Sequence, residues 1–445
     1  MSDRNLDLAQ KIIDLAMSLG ADSADAVVGE SASLNVSCRL GQLEDTERSE
    51  SRELGLRAII GQQQAFVSGT AVDAEALQRL AERAVEMAKA TPADRYCGLA
   101  PAERLASKLP SLDLADDHEP SAAELQTMAQ ETEDTARAMA GITNSEGAGA
   151  AWGRGTTALV TSHGFAGSYS STSFSLSCSV VAGTGENMER DYASHSARHF
   201  EDLDTPETIG TRTGERTLAR LNPRKLESMK MPVVYDTRVS ASLLGHLSAA
   251  ISGSAIARGT SFLRDAMGTQ VMSAGLNVID EPHRPRGLRS AAFDGEGLSP
   301  ETINLVQDGV LQSWLLDSTT ARQLELESNA RAARGVGGPP SPSATNLYLA
   351  AGTQDVAGIL GDVGEGFFVT ELIGMGVNGA TGDYSRGASG FRIENGELTY
   401  PVSEVTIAGN LKDMFGNMTP ADDLTFRRGV NAPTVLVEGM TLAGL

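Results

Sequence analysis

Residues 237–263, TRVSASLLGHLSAAISGSAIARGTSFL, constrain the fold of this chain more than any other stretch. Val239, Leu243, Leu247 and Ile251 recur every four residues, and Leu244 and Ala250 widen the stripe, which is the period of one apolar helix face. Most other positions are small: Ser240, Ala241, Gly245, Ser248, Ala249, Ser252 and Gly253. A helix this poor in bulky and charged side chains is expected to be packed closely on several sides. Arg258-Gly259 is its expected stop, because glycine takes the left-handed conformation that closes a helix.

The segments around it read as α+β. Helical periods at Asp7–Leu19 and Ala74–Ala90 flank alternating or turn-rich runs at Ala24–Arg39, Gly41–Glu50 and Leu54–Val67. Residues 91–120 contain Pro92, Pro101, Pro110 and Pro120 among acidic residues and are the best linker. Ala122–Met139 and Asp204–Leu221 are helical in composition, and the Gly/Ser/Thr-rich run from Ile142 to Val181 alternates like consecutive antiparallel strands. After Pro232-Val233-Val234-Tyr235, the pairs Asp308-Gly309 and Asn395-Gly396 between apolar runs are hairpin signals. The expected organisation is an N-terminal α+β domain with its linker over 1–110 and a middle, mainly antiparallel β domain with flanking helices over 111–222. An antiparallel, barrel-like sheet around the central helix follows over 223–445.

Composition excludes several functions. The net charge of −22 repels phosphate backbones, and the basic stretches near Arg212–Lys230 and His283–Arg289 are short and mixed with acids or prolines, so no nucleic acid partner is expected. No run approaches the ~18 apolar residues of a membrane span. Cys38, Cys97 and Cys178 are odd in number and widely spaced, which favours neither disulfides nor a zinc ribbon. The acidic, amphipathic N-terminus has no apolar signal core, and a reducing cytoplasm is the expected compartment.

Chemistry-bearing motifs are sparse. His118-Glu119 is followed by Pro120 and reads as a solvated loop. His195 and His199 are four apart, with Asp191, Glu201 and Asp202 nearby, and could grip a metal if that segment were helical. Gly374-Met375-Gly376-Val377-Asn378-Gly379 matches a dinucleotide pattern, but turn residues follow where a helix would have to start. There is no G-x-S-x-G elbow, and Cys178 lies in an alternating strand as a packed thiol.

The blocks FDGEGLSPETINLVQDGVLQSWLLDSTTAR (293–322), SATNLYLAAG (343–352) and FFVTELIGMGVNGATGDYSRGASGFRIENGELTYPVSEVTIAGNL (367–411), read with the central helix, resemble the TldD/PmbA family of peptidase-complex subunits, formerly labelled modulators of DNA gyrase. Their order and spacing fit essentially the whole chain. The resemblance implies a scaffold that in TldD-type members carries His-Glu-x-x-x-His on this helix before a Gly-Thr-Ser, completed by a later cysteine. Here Gly259-Thr260-Ser261 is present, but the motif positions hold Leu244, Gly245 and Ala249, and no cysteine follows Cys178. The sequence therefore looks like the PmbA (TldE) branch, with no catalytic or metal residue of its own. The resemblance implies a non-catalytic subunit, zinc held by a TldD-like partner subunit, an unfolded peptide as substrate and a homodimer when isolated. Gly259, Thr260 and Ser261, with the loop Arg331–Ser343, are the expected peptide-binding elements. Two alternatives stay open: a self-sufficient hydrolase using His195 and His199, and a peptide-binding regulatory protein.

Overall fold

The computed structural model describes residues 2–444. Its first half comprises α1 (Ser2–Ser18), β1 (Ser23–Arg39), β2 (Gln42–Ile60), β3 (Gln63–Gly69), α2 (Ala74–Ala90), α3 (Ala122–Arg137), β4 (Ile142–Thr161), β5 (Ala166–Ala182), β6 (Glu189–Ala197) and α4 (Pro206–Ala219). The six strands form one antiparallel sheet in the order β3-β2-β1-β4-β5-β6. β1 and β4, which fall on either side of the expected 110/111 boundary, pair from Asp25–Thr161 to Cys38–Ala148.

Side-chain alternation decides what covers each face. The even residues of β1 point to the helices. Ala24, Ala26 and Val28 pack with Ile12 of α1 and Leu77 of α2, while Leu34, Val36 and Cys38 pack with Leu125 of α3 and Ile209 of α4. Asp73, Ser121 and Thr205 cap α2, α3 and α4 by accepting from the amides of Ala76, Glu124 and Thr208. The odd residue Val27 faces the other way, against Leu112, Leu114, Phe165 and Phe293. The proline-rich segment 91–120 is thus docked rather than a tether. Its Leu114 carbonyl accepts from Thr172 N at 2.9 Å, and its Leu112 carbonyl from Arg286 N at 3.0 Å.

The second half comprises β7 (Met229–Tyr235), α5 (Thr237–Ala250), α6 (Gly253–Ala257), β8 (Val278–Asp280), β9 (Ile303–Gln307), β10 (Val310–Leu311), α7 (Ser318–Gln323), β11 (Ala332–Ala333), β12 (Ser341–Pro342), β13 (Leu347–Leu349), α8 (Val356–Val363), β14 (Gly366–Ile373), β15 (Asp383–Glu394), β16 (Glu397–Asn410), α9 (Leu411–Gly416), β17 (Met418–Pro420), β18 (Val430–Asn431) and β19 (Val435–Ala443). The order β16-β15-β14-β7-β19 closes on itself through β16–β19, giving a five-stranded barrel, with β17 added outside β19. A second sheet runs β10-β9-β8-β13-β18. Leu243, Leu244 and Leu247 of α5 share one core with Val233, Phe367 and Ile407 of the barrel and with Val278, Leu305 and Leu347 of the second sheet. Both hairpin turns form as the sequence predicts, with positive φ at Asp308 and Gly309 and at Asn395 and Gly396.

The central helix is shorter than its apolar period suggests. α5 ends at Ala250, and the backbone of Ile251–Gly253 turns to pair with Leu315 instead: Leu315 N donates to Ile251 O at 2.9 Å and Gly253 N to Leu315 O at 2.8 Å. The approach requires glycine, because a Cβ on Gly253 would lie 2.6 Å from Thr320 Oγ1 and 2.8 Å from a Leu316 methyl. The glycine run 374–379 is a turn: Ser385 N donates to Gly376 O at 2.7 Å and Val377 bridges Tyr384, with no helix following.

Candidate functional site

The site is built on α5. Asp236 caps it by accepting from Arg238 N at 2.8 Å, and the apolar stripe sinks one face into the core. Of the three motif positions, Leu244 is fully buried, whereas Gly245 and Ala249 are exposed and a Cβ on Gly245 would meet nothing within 4 Å. A hydrolytic zinc site needs about three protein ligands and a water position. These three side chains carry no donor, and Leu244 turns away from the other two. His246 lies between them with its ring 5.9 Å edge-on to Tyr384. Burial, aided by the Arg386 guanidinium, lowers its pKa and keeps the imidazole neutral, while the same cation disfavours a metal ion. The residues at this position do not fit zinc. Among the described residues, no group of three or more His, Cys, Asp or Glu side chains could hold a metal ion.

Past α6, Gly259 takes φ +67° and turns the chain back. Ser261 is buried and spent on structure: its Oγ donates to Ala250 O at 2.6 Å and accepts from Leu263 N at 2.9 Å. Thr260 is exposed, its Oγ1 donating to Ala255 O at 3.3 Å. Gly259, Ser261 and the following residues border an open cleft of about 910 Å³ reaching Lys412 and Gly416. The segment 331–343 is less free than its Gly/Pro content suggests. Its ends pair as β11 and β12, Arg331 is buried on Asp280, and Arg334 Nη1 lies 2.6 Å from Asp25 Oδ1 in the first sheet. Val336 packs over Gly29 and Gly55 of that sheet, where a Cβ on Gly55 would sit 1.8 Å from Val336 O.

The histidine pair of the sequence does not form a helical grip. His195 is on strand β6, where its Nδ1 accepts from Asp204 N at 3.0 Å. His199 lies in the turn beyond the strand, with Nε2 3.0 Å from Asp113 O. In extended backbone an i,i+4 pair spans about twice the helical distance, and the two rings serve separate contacts. His118 is also less solvated than its loop suggests: its ring lies tilted against Phe200 at 4.6 Å and its Nε2 lies 3.0 Å from Glu124 Oε1. Burial pushes the Cys178 thiol up to about 12, which leaves it un-ionised and inert as a nucleophile.

A basic patch that was not expected from the sequence is assembled by the fold. Arg212 and Arg216 of α4, Arg238 of α5, and Arg427 and Arg428 line a cleft of about 440 Å³ beside β6. The one local signal was the spacing of Arg212, Arg216 and Arg220, four apart on one helix face.

A six-stranded antiparallel layer roofed by four helices, joined to a closed five-stranded barrel and a second sheet that share the buried face of α5, defines the class: an α+β protein with a barrel in its C-terminal half. Three family descriptions cover the chain in order: PmbA/TldA metallopeptidase domain 1 over residues 24–88, the central domain over 115–221 and the C-terminal domain over 228–444. The chain is similar to the metalloprotease PmbA of Escherichia coli O157:H7, at 38% identity over 98% of this chain and 96% of that protein. It is also similar to a crystal structure from Bacteroides thetaiotaomicron described as a candidate modulator of DNA gyrase, at 26% identity and TM-score 0.92 over 100% of this chain and 99% of that one. TldE from Thermococcus kodakarensis shares the fold, at TM-score 0.88 and 19% identity over 98% of this chain and 100% of that one. The chain belongs to the PmbA/TldD metallopeptidase family, on its PmbA (TldE) side.

Proposed function

We propose that this chain is the non-catalytic subunit of a TldD/TldE-type zinc metallopeptidase, acting in the cytoplasm. A TldD-like partner subunit supplies the zinc, the glutamate base and the closing cysteine. This chain completes the chamber in which an unfolded peptide is held, with Gly259–Ser261 and the cleft beside them on the peptide's path. The observation that carries the reading is the state of α5, where the positions that would bind and activate zinc are a core leucine and two exposed residues without donors. An isolated copy is expected to self-associate through the surface it otherwise offers the partner.

The test is metal content and cleavage of unfolded casein by the purified chain, by a TldD-like subunit, and by the two mixed. The expected result is no stoichiometric zinc and no cleavage by this chain, with cleavage rising in the mixture. Stoichiometric zinc and cleavage by this chain alone would sink the proposal, and His195→Ala and His199→Ala would then locate the metal.

A further inference from the structure

The arginine cleft is not part of the α5 site, and no resemblance assigned it. It lies between α4, the end strand β6, the start of α5 and residues 425–432. Two of its five guanidiniums share one carboxylate: Arg212 Nη1 and Arg427 Nη1 are 2.9 and 2.7 Å from Asp204 Oδ2. Arg238 Nη1 is 2.9 Å from Asp191 Oδ1, and Arg220 reaches the other oxygen of the same carboxylate at 3.7 Å. Among the described residues, Arg216 and Arg428 have no carboxylate within ion-pair distance. Arg216 donates to Tyr192 O at 3.3 Å and Arg428 to Arg238 O at 3.0 Å, both neutral acceptors. His195, on the same wall, is kept neutral by burial, so the excess positive charge belongs to the arginines. Burial and the neighbouring Arg238 bring Arg216 down to about 10, as expected for a cation held without its counter-charge.

The cleft continues past Arg427 and Arg428 into a second hollow of about 440 Å³, where the lining carboxylates Asp202 and Asp204 are already paired with Arg286 and Arg427. There Arg198 donates only to carbonyls, those of Thr172, Gly287 and Leu288. A continuous trough with unneutralised guanidiniums in a chain of net charge −22 is a built exception to the surrounding field.

We infer that this trough binds the carboxylates of an acidic, extended peptide segment. A guanidinium fork matches a carboxylate in two parallel hydrogen bonds, which gives the trough its ligand chemistry. Tyr192, Ser194 and Ser196, alternate residues on one face of β6, line the trough and place hydroxyl groups beside the guanidiniums. A nucleic acid is disfavoured. Its long run of phosphates would extend past the trough onto acidic surface, whereas a few carboxylates fit inside it. The inference rests on the peptide-handling reading only for where the segment comes from.

The experiment is fluorescence anisotropy of fluorescein-labelled hexaglutamate with the purified full-length protein, beside a labelled Gly/Ser hexapeptide and a labelled thymidine hexanucleotide. Hexaglutamate is expected to bind at least tenfold tighter than either control. Arg216→Gln/Arg428→Gln is expected to weaken it at least tenfold, and Arg79→Gln, at an exposed position of α2 outside both the trough and the cleft beside Gly259–Ser261, to leave it unchanged. Arg428 is itself exposed, so Arg428→Gln alone keeps the fold and is expected to weaken binding about threefold. Equal hexaglutamate affinity in the wild type and both Arg428 variants overturns the inference, as does tighter binding of the hexanucleotide. No cleavage is read, so failure here leaves the subunit assignment standing, and an inactive subunit mixture leaves this site standing.

Discussion

Asp25 is a fully buried residue at which the two halves of the chain meet electrostatically. It sits on the face of β1 turned away from the helices, with Arg57 of β2 hydrogen-bonded to it and Arg334 of the second half 2.6 Å away. Burial by itself raises the pKa of this carboxyl. Arg334 and Arg57 outweigh that and hold it below the ordinary aspartate value. A carboxyl with a lowered folded pKa contributes stability that is present above its unfolded pKa of about 4 and is lost as pH falls through the folded value. Asp25→Asn is therefore expected to cost about 3–5 kcal/mol at pH 7, because it leaves two buried guanidiniums short of their anion. It should also flatten the acid limb: below about pH 4 the wild type loses stability more steeply than the variant. Urea unfolding of both proteins at pH 3 to 7 measures each effect, and parallel pH profiles would show that Asp25 is not the linked group.

At the scale of elements, two glycines in one predicted helix behave oppositely. Gly245 is inside α5 with open space where its Cβ would be, so Gly245→Ala should stabilise by about 0.4–1 kcal/mol through a less disordered unfolded chain. Gly253 marks the break, with Thr320 and Leu316 closer than any Cβ tolerates, and Gly253→Ala should cost about 1–3 kcal/mol. Thermal melts of the two variants are expected to move in opposite directions. A run of small residues at helical spacing reads the same in sequence whether it is a helix or a helix interrupted by a strand-like bridge. The bridge from Ser252 to Leu315, 63 residues on, carries no local signal. The same limit hid the length of β2: Gln42–Ser51 are exposed throughout, so no polar–apolar alternation marks them, and their register is imposed by β1. Elements with their own period or turn chemistry, such as α2 and the hairpins at Asp308-Gly309 and Asn395-Gly396, were legible at once. At the candidate site, the missing donors at 244, 245 and 249 were visible in the letters, but the arginine trough was not, because it gathers side chains from separate segments of the chain.

At the scale of the whole molecule, the continuity of the first sheet predicts which pieces can stand alone. β1 has β2 on one side and β4 on the other, and the core beneath α1 and α2 includes Ala158 and Val160 of β4. A fragment of residues 1–110 would leave the β4-facing edge of β1 unpaired from Asp25 to Cys38 and would open that core. Residues 1–222 keep all six strands and all four helices but uncover Asp25, Arg57 and the apolar patch of Val27, Leu114 and Phe165 that the second half shields. The expected outcome is a cooperative thermal transition for 1–222, at a lower temperature than for the full chain. Residues 1–110 are expected to show no such transition and to associate through the exposed strand. Circular dichroism melts with size-exclusion chromatography test both halves of that statement. A monomeric 1–110 that melts cooperatively would mean the first three strands close their own core. The β1–β4 ladder would then be a docking contact between finished units instead of the seam along which the first half folds.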